Sequence, residues 1–117
     1  MEKNSAAKVL RIYISNTDKF KHEPLYETLV FAAKRYKMAG ATVLRGTMGY
    51  GKSTGISNLR FWELTDKIPV VVEIIDTEEK IALFVEAITP YFEKVTSGCL
   101  ITSTDTQIIL SKAGKKK

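Results

Sequence analysis

Apolar and polar residues alternate from Val9 to Ser15, with Leu10, Ile12 and Ile14 on one face, which is the period-two signature of a strand. After a polar turn, Asn16 to Lys19, a helix is expected from about Pro24, because proline suits a first helical turn. Leu25, Leu29, Ala32 or Ala33, and Tyr36 then recur at helical spacing. Lys34, Arg35 and Lys37 complement the negative end of that helix, and Gly40 is placed to cap it. Ala41 to Arg45 reads as a second strand and Val70 to Ile75 as a third. The second helix has Thr77 as N-cap, Glu78 and Glu79 in its first turn, and Ile81, Phe84, Val85, Ile88 and Phe92 along one stripe. Pro90 should bend this helix or fray its last turn. A last strand, Leu100 to Thr102 and Thr106 to Leu110, is expected to break around Asp105.

This order, βαββαβ, predicts an α+β fold of the ferredoxin-like kind: one antiparallel sheet with both helices on one face, and a long loop between strands 2 and 3. In the third strand Val70, Val72 and Ile74 share one face, while Val71 and Ile75 share the other with Glu73 between them. The uncovered face of the sheet is therefore partly apolar, which predicts that it packs against copies of itself. The connection from Gly46 to Ile68 is far too long for a hairpin turn, and loops of that length in compact domains usually carry function.

A chain of 117 residues supports one domain, here 1–117, with residues 1–7 and 112–117 expected as flexible ends. An apolar content of 44% and a charged content of 26% are those of an ordinary globular protein. No apolar run approaches the ~20 residues of a membrane span, and the first residues lack the apolar stretch of a signal peptide, so a cytoplasmic protein that is not membrane-embedded is expected. The single cysteine, Cys99, agrees with a reducing compartment, and without a Cys/His cluster no metal site is expected. The net charge of +5 is concentrated in the tail: removing Lys112, Lys115, Lys116 and Lys117 leaves fourteen basic residues against thirteen acidic ones. No basic stripe interleaved with stacking aromatics is present, which argues against nucleic acid as a partner.

Gly46 to Ser53 reads Gly-Thr-Met-Gly-Tyr-Gly-Lys-Ser, a full match to G-x-x-x-x-G-K-[ST]. A true P-loop sits between a strand and a helix in a parallel sheet built by crossovers, and Gly55, Ser57 and Asn58 oppose a helix starting there. The chain also has no room for such a sheet, so a P-loop NTPase is the weakest reading. The segment remains the best place to look for a bound anion, since bare N–H groups can approach one and Lys52 adds a mobile positive charge.

The βαββαβ order with a long second loop, His22, Pro24-Leu-Tyr-Glu27, Ala39 to Gly46, Gly49-Tyr-Gly51, Glu63-Leu64 and Pro69 to Asp76 together resemble the PII (GlnB-like) superfamily, and more closely its PII-like family of uncharacterised bacterial and archaeal domains. The resemblance covers most of residues 8–110. It implies a homotrimer with ligand sites in clefts between subunits and a loop that contacts a partner, a membrane transporter or an enzyme target, in a sensor that is not itself an enzyme. By position Arg45, Gly46, Gly49, Gly51 and Lys52 match the base of that loop, where such proteins hold their ligand. The segment Ser97 to Asp105 lacks the glycine-rich, lysine-bearing turn that grips phosphates in PII proteins, and Ser57 stands where the close family often has a histidine. A small anionic ligand such as AMP or ADP therefore fits better than a triphosphate, and no further cofactor is implied.

Each candidate also has a plainer use. The glycines can serve a twisting strand, Arg45 can pair with Glu73 across neighbouring strands, and His22, a candidate anion ligand, can simply close a turn. Arg60, Phe61 and Trp62 are candidate partner contacts, or pack the second half of the loop. A structural scaffold trimer without a ligand is the alternative function.

Overall fold

The computed structural model describes residues 2–50, 57–58 and 67–115. Its main sheet has four strands: β1 (Glu2–Ser15), β2 (Gly40–Arg45), β3 (Pro69–Asp76) and β4 (Leu100–Ser111). Their order is β2-β3-β1-β4, and every neighbouring pair is antiparallel. The helices α1 (Leu25–Arg35) and α2 (Glu78–Glu93) connect β1 to β2 and β3 to β4. This is the ferredoxin-like arrangement expected from the element order, and it is not the parallel sheet that a P-loop requires.

One face of the sheet is sealed by both helices. Leu10, Ile12, Ile14, Val70, Val72 and Ile74 pack there against Leu25, Leu29, Ala32, Ala33, Ile81, Phe84 and Ile88 in one buried cluster. Strict alternation of buried and half-buried positions along β3 follows from the pleat, which sends successive side chains to opposite faces. Thr77 caps α2 as expected, its side chain accepting a hydrogen bond from the Lys80 N–H at 3.3 Å. The helix continues through Pro90 to Glu93.

The other face carries rows of residues fixed by strand register. Leu44, Val71, Tyr13 and Leu100 form an apolar row across all four strands. The next row is Thr42, Glu73, Arg11 and Thr102, and the one beyond it contains Ile75 and Val9. Tyr13, Leu44 and Leu100 are exposed, so the expectation of a partly apolar open face holds.

Four local expectations are corrected. Residues 2–7, expected within a flexible end, lie in β1, where register pairs Glu2 with Ser111 and Ala7 with Thr106. β4 does not break at Asp105, because that residue sits opposite Lys8 and the two side chains form an ion pair at 2.8 Å. Gly40 does not cap α1. That position belongs to Lys37, whose φ is 58°, and a Schellman motif forms as the Lys37 N–H donates to the Lys34 carbonyl and the Met38 N–H to the Ala33 carbonyl. Nor does Arg45 meet Glu73: register sets Arg45 opposite Val70, on the other face, and Glu73 pairs with Arg11 at 3.1 Å.

Candidate functional site

The strand order brings the end of β1, the end of β2 and the starts of β3 and β4 to one end of the sheet. Here the chain leaves β2 at Arg45 and returns at Ile68, and both ends of that excursion are tied down. The Gly46 N–H donates to the Pro69 carbonyl at 2.7 Å. The Ile68 N–H donates to the Asn16 side-chain oxygen at 2.7 Å, and the Asn16 N–H returns a bond to the Ile68 carbonyl at 3.0 Å. The sequence marks Asn16 only as a turn residue; its clamp across 52 positions has no local signal.

Gly46 lies closely against Pro69, where any side chain would crowd the ring. A Cβ there would lie 3.0 Å from the Pro69 ring, whereas one at Gly49 would make an ordinary contact at 3.4 Å. None of the described glycines takes a positive φ, so the conformational freedom that glycine offers is not what the fold uses here. Met48 and Gly49 pair antiparallel with Asn58 and Ser57 in a short two-stranded ribbon.

Arg45 projects from this end, exposed, with no partner for its guanidinium among the described residues. His22 and Lys21 are the two central residues of a tight hairpin that pairs Phe20 with Glu23. Both have positive φ, 50° for Lys21 and 72° for His22, as a type I′ turn demands. Turn closure therefore accounts for His22 without a ligand. Gly51, Lys52, Arg60, Phe61 and Trp62 lie outside the described residues.

The wall of this end is the turn Ser15 to Asp18. Asp18 is buried, its carboxylate accepts from the Ser15 N–H at 2.9 Å, and its carbonyl accepts from the Leu25 N–H at 2.8 Å, which sets the start of α1. Cys99 stands near that carboxylate at the entry to β4. Partial burial, and secondarily the Asp18 charge, push the Cys99 thiol above its ordinary value of 9.0, so it stays protonated and poorly nucleophilic at neutral pH. Among the described residues no group of His, Cys, Asp and Glu is arranged to hold a metal ion, and no helix is long and apolar enough to cross a membrane. The described part of the site offers the exposed Arg45 guanidinium at a strand end, a group whose planar fork suits an anion.

The family model DUF190, described as an uncharacterized ACR, matches residues 7–108. The UPF0166 protein of Aquifex aeolicus (strain VF5) is 42% identical over 102 residues, 87% of this chain and 92% of that protein. The UPF0166 protein MJ1524 of Methanocaldococcus jannaschii is 33% identical over 102 residues, 87% of this chain and 91% of its own. Among solved structures, CPII, a nitrogen regulatory PII-like protein from Thiomonas intermedia K12 bound to ADP, AMP and bicarbonate, superposes with a TM-score of 0.68 at 20% identity over 92% of each chain. A PII-like signalling protein of Thermus thermophilus gives a TM-score of 0.63 at 18% identity over 92% of this chain and 94% of its own.

Proposed function

The chain belongs to the DUF190 (UPF0166) family, whose structural neighbours are PII-like proteins, and on that footing we propose that it is a PII-like regulatory protein. In this reading it is a homotrimer that senses a small anionic ligand, an adenine nucleotide such as AMP or ADP, at the Arg45 end of the sheet in clefts between subunits. The loop that leaves there, residues 46–68, then acts on a partner, either a membrane transporter or an enzyme.

The observation that carries the reading is Arg45: an exposed guanidinium without a partner among the described residues, at the strand end where Gly46 presses against Pro69. An arginine with no partner among the described residues suits a phosphate or carboxylate, because its planar fork matches either group. The likeness to CPII bound to ADP, AMP and bicarbonate supports the choice of ligands. Ser97 to Asp105 carries neither a lysine nor a run of glycines, which favours one or two phosphates over three. In this reading the bound anion acts as a local electrostatic event that biases the conformation of the loop and so its hold on the partner.

Thermal-shift measurements with AMP, ADP, ATP and bicarbonate test this. A ligand at a hundred times its Kd adds about 2.7 kcal/mol of stability, so AMP or ADP should raise the Tm clearly and ATP less. Arg45→Ala should remove the shift while leaving the unliganded Tm in place. No shift with any nucleotide would favour the scaffold reading, and a shift that survives Arg45→Ala would move the site elsewhere.

A further inference from the structure

We propose that the far end of the ribbon formed by β1 and β4, together with the lysines that follow it, docks the protein on an anionic phospholipid surface. This contact is separate from Arg45 and needs no nucleotide.

β3 stops at Asp76, opposite Lys8, while β1 and β4 run on together until Glu2 meets Ser111. Among the described residues, 2–7 pair only with 106–111, so the sheet ends in a two-stranded ribbon. Near its tip stands the apolar run Ile108-Ile109-Leu110, in which Ile109 is 65% and Leu110 56% exposed. Successive residues of a strand face opposite ways, so these two open onto opposite faces of the ribbon. A single rigid partner surface covers one of them and leaves the other in water. A fluid apolar boundary can take in both. If another copy covers the open face of the sheet, which carries Leu110, Ile109 still lies outside that contact.

The charge around this tip has one sign. Lys112 and Lys115 are exposed, Lys116 and Lys117 follow them in the sequence, and no acidic residue stands after Asp105. Glu2 and Lys3, set opposite Ser111 and Leu110 by register, bring one charge of each sign and cancel. The four lysines therefore supply four of the five net positive charges of the chain.

Lysine clusters of this size are drawn to the negative headgroups of anionic lipid, and lasting attachment takes a second, apolar signal beside the charge. Residues 108–117 supply both signals. Nucleic acid, the other polyanion that lysines attract, is gripped by stacking its bases on aromatic rings, and no aromatic residue follows Phe92. The 14 residues of β1 span about 40 Å at ~3.3 Å per residue, and Arg45, opposite Val70, lies beside the other end of that strand. Docking by the tip thus leaves the Arg45 end clear of the bilayer.

Co-sedimentation of the full chain with vesicles of phosphatidylcholine, alone or mixed with phosphatidylserine, tests this. Binding is expected only where phosphatidylserine is present, and high salt should release it. Changing Lys112, Lys115, Lys116 and Lys117 together to glutamine should weaken binding on the order of 500-fold, about fivefold per lysine. Ile109→Ser should weaken it about 10-fold. Both variants alter positions outside the core, so circular dichroism, the unliganded Tm and any nucleotide thermal shift should match the wild type, which separates this contact from the nucleotide reading. Failure to pellet with phosphatidylserine vesicles, equal pelleting with both vesicles, or full binding by the glutamine variant would overturn the proposal. Unchanged affinity in Ile109→Ser would remove the ribbon tip from the contact. Capture of the chain by single-stranded RNA but not by vesicles would assign the lysines to nucleic acid instead.

Discussion

Asp76 is expected to be the most costly polar residue of the described fold to lose, and the structure gives the size of that loss. It is 6% exposed at the end of β3, where its carboxylate accepts from the Ala39 N–H at 2.8 Å and the Thr77 N–H at 2.7 Å and lies 3.2 Å from Lys80 Nζ. Lys80 Nζ also donates to the Lys37 carbonyl at 2.6 Å, so one carboxylate joins the turn after α1, the end of β3 and the start of α2. Bonds from N–H groups to a charged acceptor contribute about 1.5–3 kcal/mol each. Ala39 and Thr77 are exposed, so water can partly replace their partner and the lower figure applies. The ion pair to the partly exposed Lys80 adds less than about 1 kcal/mol. Asp76→Ala should therefore cost about 3 kcal/mol in urea unfolding followed by circular dichroism at fixed protein concentration. Asp76→Asn should cost about 2 kcal/mol, because its amide nitrogen turns a donor toward a donor. Lys80→Met should stay below about 1 kcal/mol. A loss under about 0.5 kcal/mol in Asp76→Ala, the usual range for an ordinary surface change, would refute the reasoning.

Three further outcomes are expected. Replacing Lys21-His22 by Asn-Gly supplies the residues a type I′ turn prefers; it should raise stability by about 1 kcal/mol and leave any nucleotide thermal shift unchanged, whereas a lost shift would make His22 a ligand. Lys37→Gly removes a side chain from the left-handed position after α1 and should stabilise by roughly 0.5–1 kcal/mol, with an unfolding midpoint below wild type counting against the Schellman assignment. The Lys8–Asp105 hydrogen bond and charge contact lower the Asp105 pKa from 3.8 and raise that of Lys8 from 10.5. The Asp105 contribution is thus present above pH 3.8 and lost as pH falls through the lowered value, while that of Lys8 is present below 10.5 and lost as pH rises past its raised value. Asp105→Asn should flatten the acid limb of the stability profile, and an unchanged limb would mean that the pair contributes nothing.

Where side chains alternate against a core, the sequence is readable. Leu10, Ile12 and Ile14 in β1, and Val70, Val72 and Ile74 in β3, announce their strands because the helices bury one face of each. Thr77 announces α2 because a hydroxyl suits the N-cap and the two glutamates after it suit the positive end of the helix dipole. Elements stabilised by long-range pairing are not readable. Glu2 to Ala7 carries no apolar alternation and becomes strand only because Thr106 to Ser111 lies alongside. Asp105 looks like a break until Lys8 is placed opposite it. The choice between Arg11 and Arg45 as partner of Glu73 is decided by register, which a single strand does not reveal. At the candidate site, Gly46 and Gly49 lie against Pro69 while Arg45 sits opposite Val70, and the crowding at Gly46 comes from a proline far along the chain, invisible in the motif itself.

A ligand-binding assembly of identical chains is the central claim, and native mass spectrometry with ADP present weighs the assembly and counts the ligand together. The expected species has three 13.1 kDa chains carrying up to one nucleotide per chain, with the nucleotide absent and the trimer intact in Arg45→Ala. A single chain without nucleotide, at every concentration and with every adenine nucleotide tried, would contradict it.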